Sequence, residues 1–236
     1  MIEQVNSHYL EFLSFHYCIS DGFFILLHQK TKRQMKLVVM TKPTFFVEED
    51  KILATLFDEG MDNLHLYKPD SSPMYAERLL TLLPDEYYRK ITVHDHYYLK
   101  NEFGLDGIHI ESPDAPLPDG YRGHFSRTCM QLDKLKVAKK KSEYVFLKYI
   151  FDSQSEPDKK ACFTMEQLEA ASREGLIDRH VYALGGINLD NVRMMKDLGF
   201  GGIVLCGDLW NRFDIHQEQD FHELIDHFVK IRKAIG

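Results

Sequence analysis

The sequence predicts a single (β/α)8 barrel, the TIM-barrel architecture, and three observations carry that expectation. Near the carboxyl terminus, Val181–Leu184 and Gly202–Cys206 are short apolar runs followed by Gly185-Gly186 and by Gly207, and between them Val192, Met195 and Leu198 fall at helical spacing. Strand-like and helix-like segments alternate along the whole chain before that point, which implies parallel βαβ units. The length of 236 residues is near the roughly 250 typical of the fold, and 44% hydrophobic content can bury a sizeable core.

Eight strand-like runs can be drawn, at 36–41, 63–67, 90–94, 107–110, 123–128, 144–150, 181–184 and 202–206. Amphipathic helices are expected at 49–58, 74–83, 132–140, 165–174 and 190–198, with a final one over 221–235, because their apolar residues recur near the 3.6 period. The fourth connection breaks the alternation. Residues 111–120 carry three prolines and cannot hold a normal helix. The sixth connection begins with a polar stretch from Asp152 to Lys160, where a substrate-covering loop is expected.

Residues 1–34 supply no strand that the barrel needs, so the expected organisation is an N-terminal extension over 1–34 and a barrel over 35–236. The apolar patch from Tyr9 to Leu27 is interrupted by Glu11, His16 and Asp21, which argues against a membrane span. Phe23–Leu27 is too short for a signal peptide, and neither a basic lead nor a cleavage site accompanies it. An added helix and a start assigned too early are the two remaining readings, and the second is preferred.

Net charge is −7, and no basic run exceeds Lys139-Lys140-Lys141, so the footprint of a nucleic-acid binder is absent. Small-molecule partners, with neither nucleic acid nor membrane, are expected. Cys18, Cys129, Cys162 and Cys206 are scattered, which suits a reducing cytoplasm better than a disulfide framework or a zinc site.

Barrel chemistry lies at the carboxyl ends of the strands. Those ends carry His65, Tyr67 and Lys68, then His94-Asp95-His96, Asp114, Thr128, Ser153 with Ser155, and Gly185-Gly186. Glycines there let a backbone approach a phosphate closely. Asp95 and Asp114 are candidate ligands for a Mg2+ ion that takes its other oxygens from water and substrate phosphates.

The segments 93–114, 126–135, 144–153 and 182–205 together resemble the thiamine phosphate synthase and TenI-like family, over nearly everything from Met35 to about Leu209. The most specific pieces are the Asp of strand three, an Asp-Gly-x-His on strand four with Asp114 five residues after that His, and the Gly-Gly-Ile of strand seven. The resemblance implies a transferase that joins hydroxymethylpyrimidine diphosphate to thiazole phosphate in thiamine biosynthesis, through a pyrimidine cation left when pyrophosphate departs. It implies Mg2+ at Asp95 and Asp114, and pyrophosphate contacts from Thr128, Ser153 and Ser155. Gly185, Gly186 and Gly207 would cradle the thiazole phosphate, with His94, in place of the family's Asn, beside the phosphates. A homodimer is a further expectation.

Several positions depart from the family. Where it has Gln-x-Arg-x-Lys at strand two, this chain has His65-Leu66-Tyr67-Lys68-Pro69, and the lysine that closes the sixth-loop motif is Glu156. Charge-assisted hydrogen bonds are worth roughly 1.5–3 kcal/mol each, so two lost cations would slow pyrophosphate departure by about 10² to 10⁴. Lys68, Lys159 and Lys160 are the candidate replacements. The thiazole-tautomerising members use a histidine where Met130 stands, which counts against that activity.

Two alternatives stay open at this point: a degenerate barrel that binds thiazole phosphate without turnover, and a metal-dependent hydrolase using His94 and His96 with His65 or His109. Trp210 either caps the pocket or closes the barrel end by packing, while Tyr87, Tyr88, Tyr97, Tyr98 and Cys206 read as packing residues.

Overall fold

The computed structural model describes residues 34–213 and 221–236. The expected extension lies, but for its last residue, outside the described residues. The chain forms a closed barrel of eight parallel strands in sequential order. Strand β1 (Lys36–Met40) is followed by α1 (Glu49–Asp58), β2 (Asn63–Leu66), α2 (Pro73–Leu82), a 3₁₀ turn over Asp85–Lys90 and β3 (Ile91–Val93). Then come the one-turn α3 (Leu99–Glu102), β4 (Gly107–Ile110), β5 (His124–Cys129), α4 (Leu132–Lys141), β6 (Val145–Lys148) and α5 (Met165–Arg173). The chain continues through β7 (Val181–Leu184), α6 (Val192–Asp197), β8 (Gly202–Leu205), α7 (Gly207–Trp210) and α8 (His222–Ile235). Closure is made by β1 pairing with both β2 and β8, with Val39 opposite Leu64 and Leu205.

All eight expected strands form, shifted by no more than a few residues. No helix joins β4 to β5, as the prolines of 111–120 require. β6 is shorter than drawn, ending at Lys148 rather than Ile150. The helices obey their periodicity. In α8, Leu224, Phe228, Ile231 and Ile235 are buried at i, i+4, i+7 and i+11, and the helix packs against α1 and α6. Burying each such side chain is worth roughly 1.5–3 kcal/mol.

Side chains alternate across each strand, so every strand serves two cores. Leu37, Val39, Leu64, Leu66, Ile108, Leu147, Ile203 and Leu205 point outward and pack under the helices. Val38, Met40, Phe146, Leu184 and Val204 fill the barrel interior. Trp210 resolves to the packing reading: it is 1% exposed, and its indole N–H donates to the Met40 carbonyl at 2.7 Å, tying α7 to the end of β1. Tyr87 stacks on Phe57 at 4.5 Å, also as packing. No helix among the described residues is long and apolar enough to cross a membrane.

Candidate functional site

The same alternation selects what faces the barrel interior, and the selection is uneven. Strands β6 to β8 and β1 contribute the apolar set just named. Strands β2 to β5, with the residue just after β3, contribute His65, Thr92, His94, His109, Ser126 and Thr128, all buried. A buried polar group must be hydrogen-bonded to be tolerated; Thr92 donates to Asn63 Oδ1 at 3.2 Å, and the others bond one another.

Their bonds run in two branches that meet on one carboxylate. Glu111 Oε1 is 2.7 Å from His94 Nδ1, His94 Nε2 is 2.8 Å from His65 Nδ1, and His65 Nε2 is 2.7 Å from the Tyr144 hydroxyl. Glu111 Oε2 is 3.3 Å from Thr128 Oγ1, which is 2.8 Å from His109 Nε2, and His109 Nδ1 is 2.7 Å from Ser126 Oγ. An ionised carboxylate only accepts, so His94 Nδ1–H and the Thr128 hydroxyl donate to it, and the other roles follow along each branch. Burial first, and then the neighbouring imidazole of His94, push His65 and His109 well below the usual histidine range, so both rings are neutral near pH 7. Burial alone would raise Glu111, but the His94 hydrogen bond and the electrostatic influence of His94, His109 and Lys148 outweigh it and hold the carboxyl at about 2.

The nitrogens of His65, His94 and His109 lie within 4.8 Å of one another, the one such metal-capable group among the described residues. The His94 and His109 rings are stacked, with centroids 4.3 Å apart and planes 23° apart. Their in-plane lone pairs therefore run side by side rather than converging on an ion. His96 faces elsewhere, 3.0 Å from the Ser71 carbonyl. The histidine pair that suggested a hydrolase is thus split between the interior and a loop.

Above this layer, at the carboxyl ends of the strands, a cavity of about 180 Å³ is lined by Tyr67, Glu111, Lys148, Tyr149 and residues 153–156, 184–187 and 206–208. Ser153, Ser155, Gly185, Gly186 and Gly207, five of the expected site residues, are brought together here. The glycines have a measurable reason. Gly186 has φ +65°, and a Cβ there would lie 2.5 Å from the Asp152 carbonyl oxygen; one on Gly207 would lie 2.8 Å from Ser155 N. They allow the sixth loop to sit directly on the ends of β7 and β8. Ser153 Oγ accepts from Glu156 N at 3.1 Å within that loop.

The remaining expected site residues do not line the cavity. Thr128 and His94 lie beneath it, joined to Glu111. Lys68 points away, its Nζ donating to both Glu49 oxygens at 2.6 and 2.9 Å and to the Thr44 carbonyl at 2.9 Å. Asp95 is half-buried, and its Oδ2 has no hydrogen-bond partner. Asp114 is exposed and pairs with Lys134 at 2.6 Å. Lys160 is engaged by Asp152 at 3.0 Å. Met130 is 51% exposed after β5.

The basic residue that does line the cavity is Lys148, which sequence reasoning passed over. Its Nζ sits 4.8 Å from the centre of the Tyr149 ring and 3.8 Å from Glu156 Oε1. Burial opposes its charge, yet Glu111, Tyr149 and Glu156 together raise it above the usual lysine range. Glu111 was also missed. Counting by two along a strand finds both: Glu111 follows inward-facing His109, and Lys148 follows inward-facing Phe146.

Comparison with known proteins identifies relatives of this chain. Residues 42–209 match the family model described as thiamine monophosphate synthase. A crystal structure of thiamine phosphate pyrophosphorylase from Bacteroides thetaiotaomicron is similar at 48% identity and TM-score 0.77, covering 85% of this chain and 97% of that one. The thiamine-phosphate synthase of Halalkalibacterium halodurans is 24% identical over 196 residues, 78% of this chain and 91% of that protein. A thiamine phosphate pyrophosphorylase from Pyrococcus furiosus shares the fold at 18% identity and TM-score 0.64, over 87% of this chain and 99% of that one. The chain belongs to the thiamine monophosphate synthase family.

Proposed function

We propose that this chain is a transferase that joins hydroxymethylpyrimidine diphosphate to thiazole phosphate, releasing pyrophosphate and forming thiamine phosphate. The observation that carries this reading is the cavity over β6 to β8, lined by Gly185, Gly186, Gly207, Ser153 and Ser155 together with Lys148, the one lysine among the described residues that line it. In the reaction the bond from the pyrimidine methylene to the diphosphate oxygen breaks, and the thiazole nitrogen then bonds to that carbon. The protein's task is to hold two phosphorylated molecules and to favour charge separation. The glycine edge and the two serines would hold phosphate groups, with Lys148 taking the role that the strand-two cations play in the family.

Magnesium fits one of its two expected ligands directly. The buried, unpartnered Asp95 Oδ2 suits a cation, whereas Asp114 would exchange Lys134 for the metal. Bound there, the ion would neutralise charge on the departing pyrophosphate.

Incubating the protein with both substrates and Mg2+ tests the reading. Thiamine phosphate and pyrophosphate should appear in equal amounts. Thiazole phosphate binding without product would identify a barrel that has kept its binding half only, and absence of binding would remove the pathway altogether.

A further inference from the structure

We propose that Glu111 is the residue by which the pocket recognises an amino-substituted, positively charged heteroaromatic ring, accepting its exocyclic N–H and facing the charge that develops on it. The inference rests on the proposed reaction, in which such a ring is the pyrimidine.

Position comes first. Glu111 lines the cavity, and its side chain is 48% exposed while both oxygens are held from behind. His94 Nδ1 takes one lone pair of Oε1, and the Thr128 hydroxyl takes one of Oε2. Each carboxylate oxygen has a second lone pair, which leaves an acceptor on each for a group in the cavity.

Preorganisation comes next. The carboxylate is anchored through two branches that cross the barrel interior, ending at Tyr144 and Ser126. Both ends line a separate cavity of about 220 Å³ among the amino ends of the strands, so the anchoring chain spans the barrel from one face toward the other. A carboxylate gripped on both oxygens cannot turn away from a ligand, and holding it costs no reorganisation when charge develops opposite. Nor is it readily protonated, since its neighbours keep the carboxyl at about 2.

Charge balance gives the sign of the ligand. Three carboxylates line the cavity, those of Glu111, Glu156 and Asp208. Asp208 is satisfied by His227 at 2.6 Å and Arg212 at 3.4 Å. Lys148 is the one lysine or arginine among the described residues that line the cavity, and its single positive charge faces the negative charges of both Glu111 and Glu156. The wall at Glu111 therefore keeps a negative charge in a partly dry pocket beside Tyr67 and Tyr149. A second anion would be repelled there, whereas a flat cation would be held by the carboxylate and by aromatic faces. Phosphates belong with the glycines and serines that line the same cavity, so one pocket would take both charge types on different walls.

Calorimetry on the full chain tests this, using 4-amino-5-hydroxymethyl-2-methylpyrimidine and the same ring with hydrogen in place of the amine. Wild type should prefer the amine by about tenfold or more, the scale of one charge-assisted hydrogen bond. Glu111→Gln should lose that preference while its affinity for thiazole phosphate stays unchanged, which also shows that the variant is folded. Equal binding of the two rings by wild type, binding of neither, or a preference retained in Glu111→Gln would each overturn the inference. The ring comparison in wild type needs no variant, so it decides even if Glu111→Gln does not fold. A wild type that keeps the preference but makes no thiamine phosphate would sink the proposed reaction and leave ring recognition standing.

Discussion

Lys68 and Glu49 form an ion pair inside the protein, with Nζ 2.6 Å from one carboxylate oxygen and both side chains 2% exposed. Removing one partner leaves the other charge buried and alone. Lys68→Met should cost about 3–5 kcal/mol in urea unfolding, and Lys68→Met with Glu49→Leu should recover most of the loss. The double variant also separates two roles for Lys68. Unchanged turnover in the refolded double variant marks the lysine as structural, whereas lost turnover returns it to the reaction.

Acid should weaken the fold below pH 6.5. His65 and His109 are held below the ordinary 6.5 by burial, so their stability contribution is present above 6.5 and is lost as pH falls. Glu49 has the opposite sign, because burial lifts it from 4.5 to about 7 against the pull of Lys68. Its contribution is present below 4.5 and is lost as pH rises through about 7. Just below 6.5 the two rings act against the one carboxyl, so stability should fall as pH falls. Glu49→Gln should steepen that fall in unfolding curves taken just below pH 6.5; a flat wild-type profile would mean that the rings carry charge in the folded state.

Lys148→Gln should weaken binding of the diphosphate substrate and slow turnover by about 10- to 100-fold, the worth of one charge-assisted contact. Steady-state kinetics would show it. Turnover within a factor of two of wild type would assign the anion-binding role to another cation.

Tyr67→Arg with Glu156→Lys should raise the rate by about 10² or more, since both positions line the cavity and the change adds two cations while removing one anion. Thiazole phosphate affinity should not change. A wild type already turning over at about 1 s⁻¹ or faster would show that Lys148 suffices.

Gly186→Ala should destabilise the protein by about 1–3 kcal/mol, because φ +65° strains an L-residue and the new methyl would press on Asp152. Limited proteolysis at the loop 152–160 should become faster in the variant. An unchanged cleavage rate would show that the loop does not depend on that close approach.

What the sequence determined by itself is local and periodic. Apolar spacing marks eight strands, proline density removes the helix after β4, and the 3.6 period of Leu224, Phe228 and Ile231 marks the closing helix. Each of these depends on neighbours within a turn or a strand, where backbone geometry alone sets which side chains share a face. The glycines after β7 and β8 were legible for the same reason.

Tertiary structure decided which strand-end residues meet. Lys68 follows the end of β2, yet its long, freely rotating side chain is captured by Glu49 of the preceding helix rather than by the cavity. His65, His94 and His109 look alike as residues on three separate strands. Only closure of the barrel stacks His94 on His109 and joins His65 to Tyr144, which lies 79 positions away. Period two could place Glu111 and Lys148 inside, but their lining one pocket depends on the register that β4 and β6 each keep with β5, which lies between them. Long-range pairing is set by packing of the whole barrel, and no window of the sequence contains it.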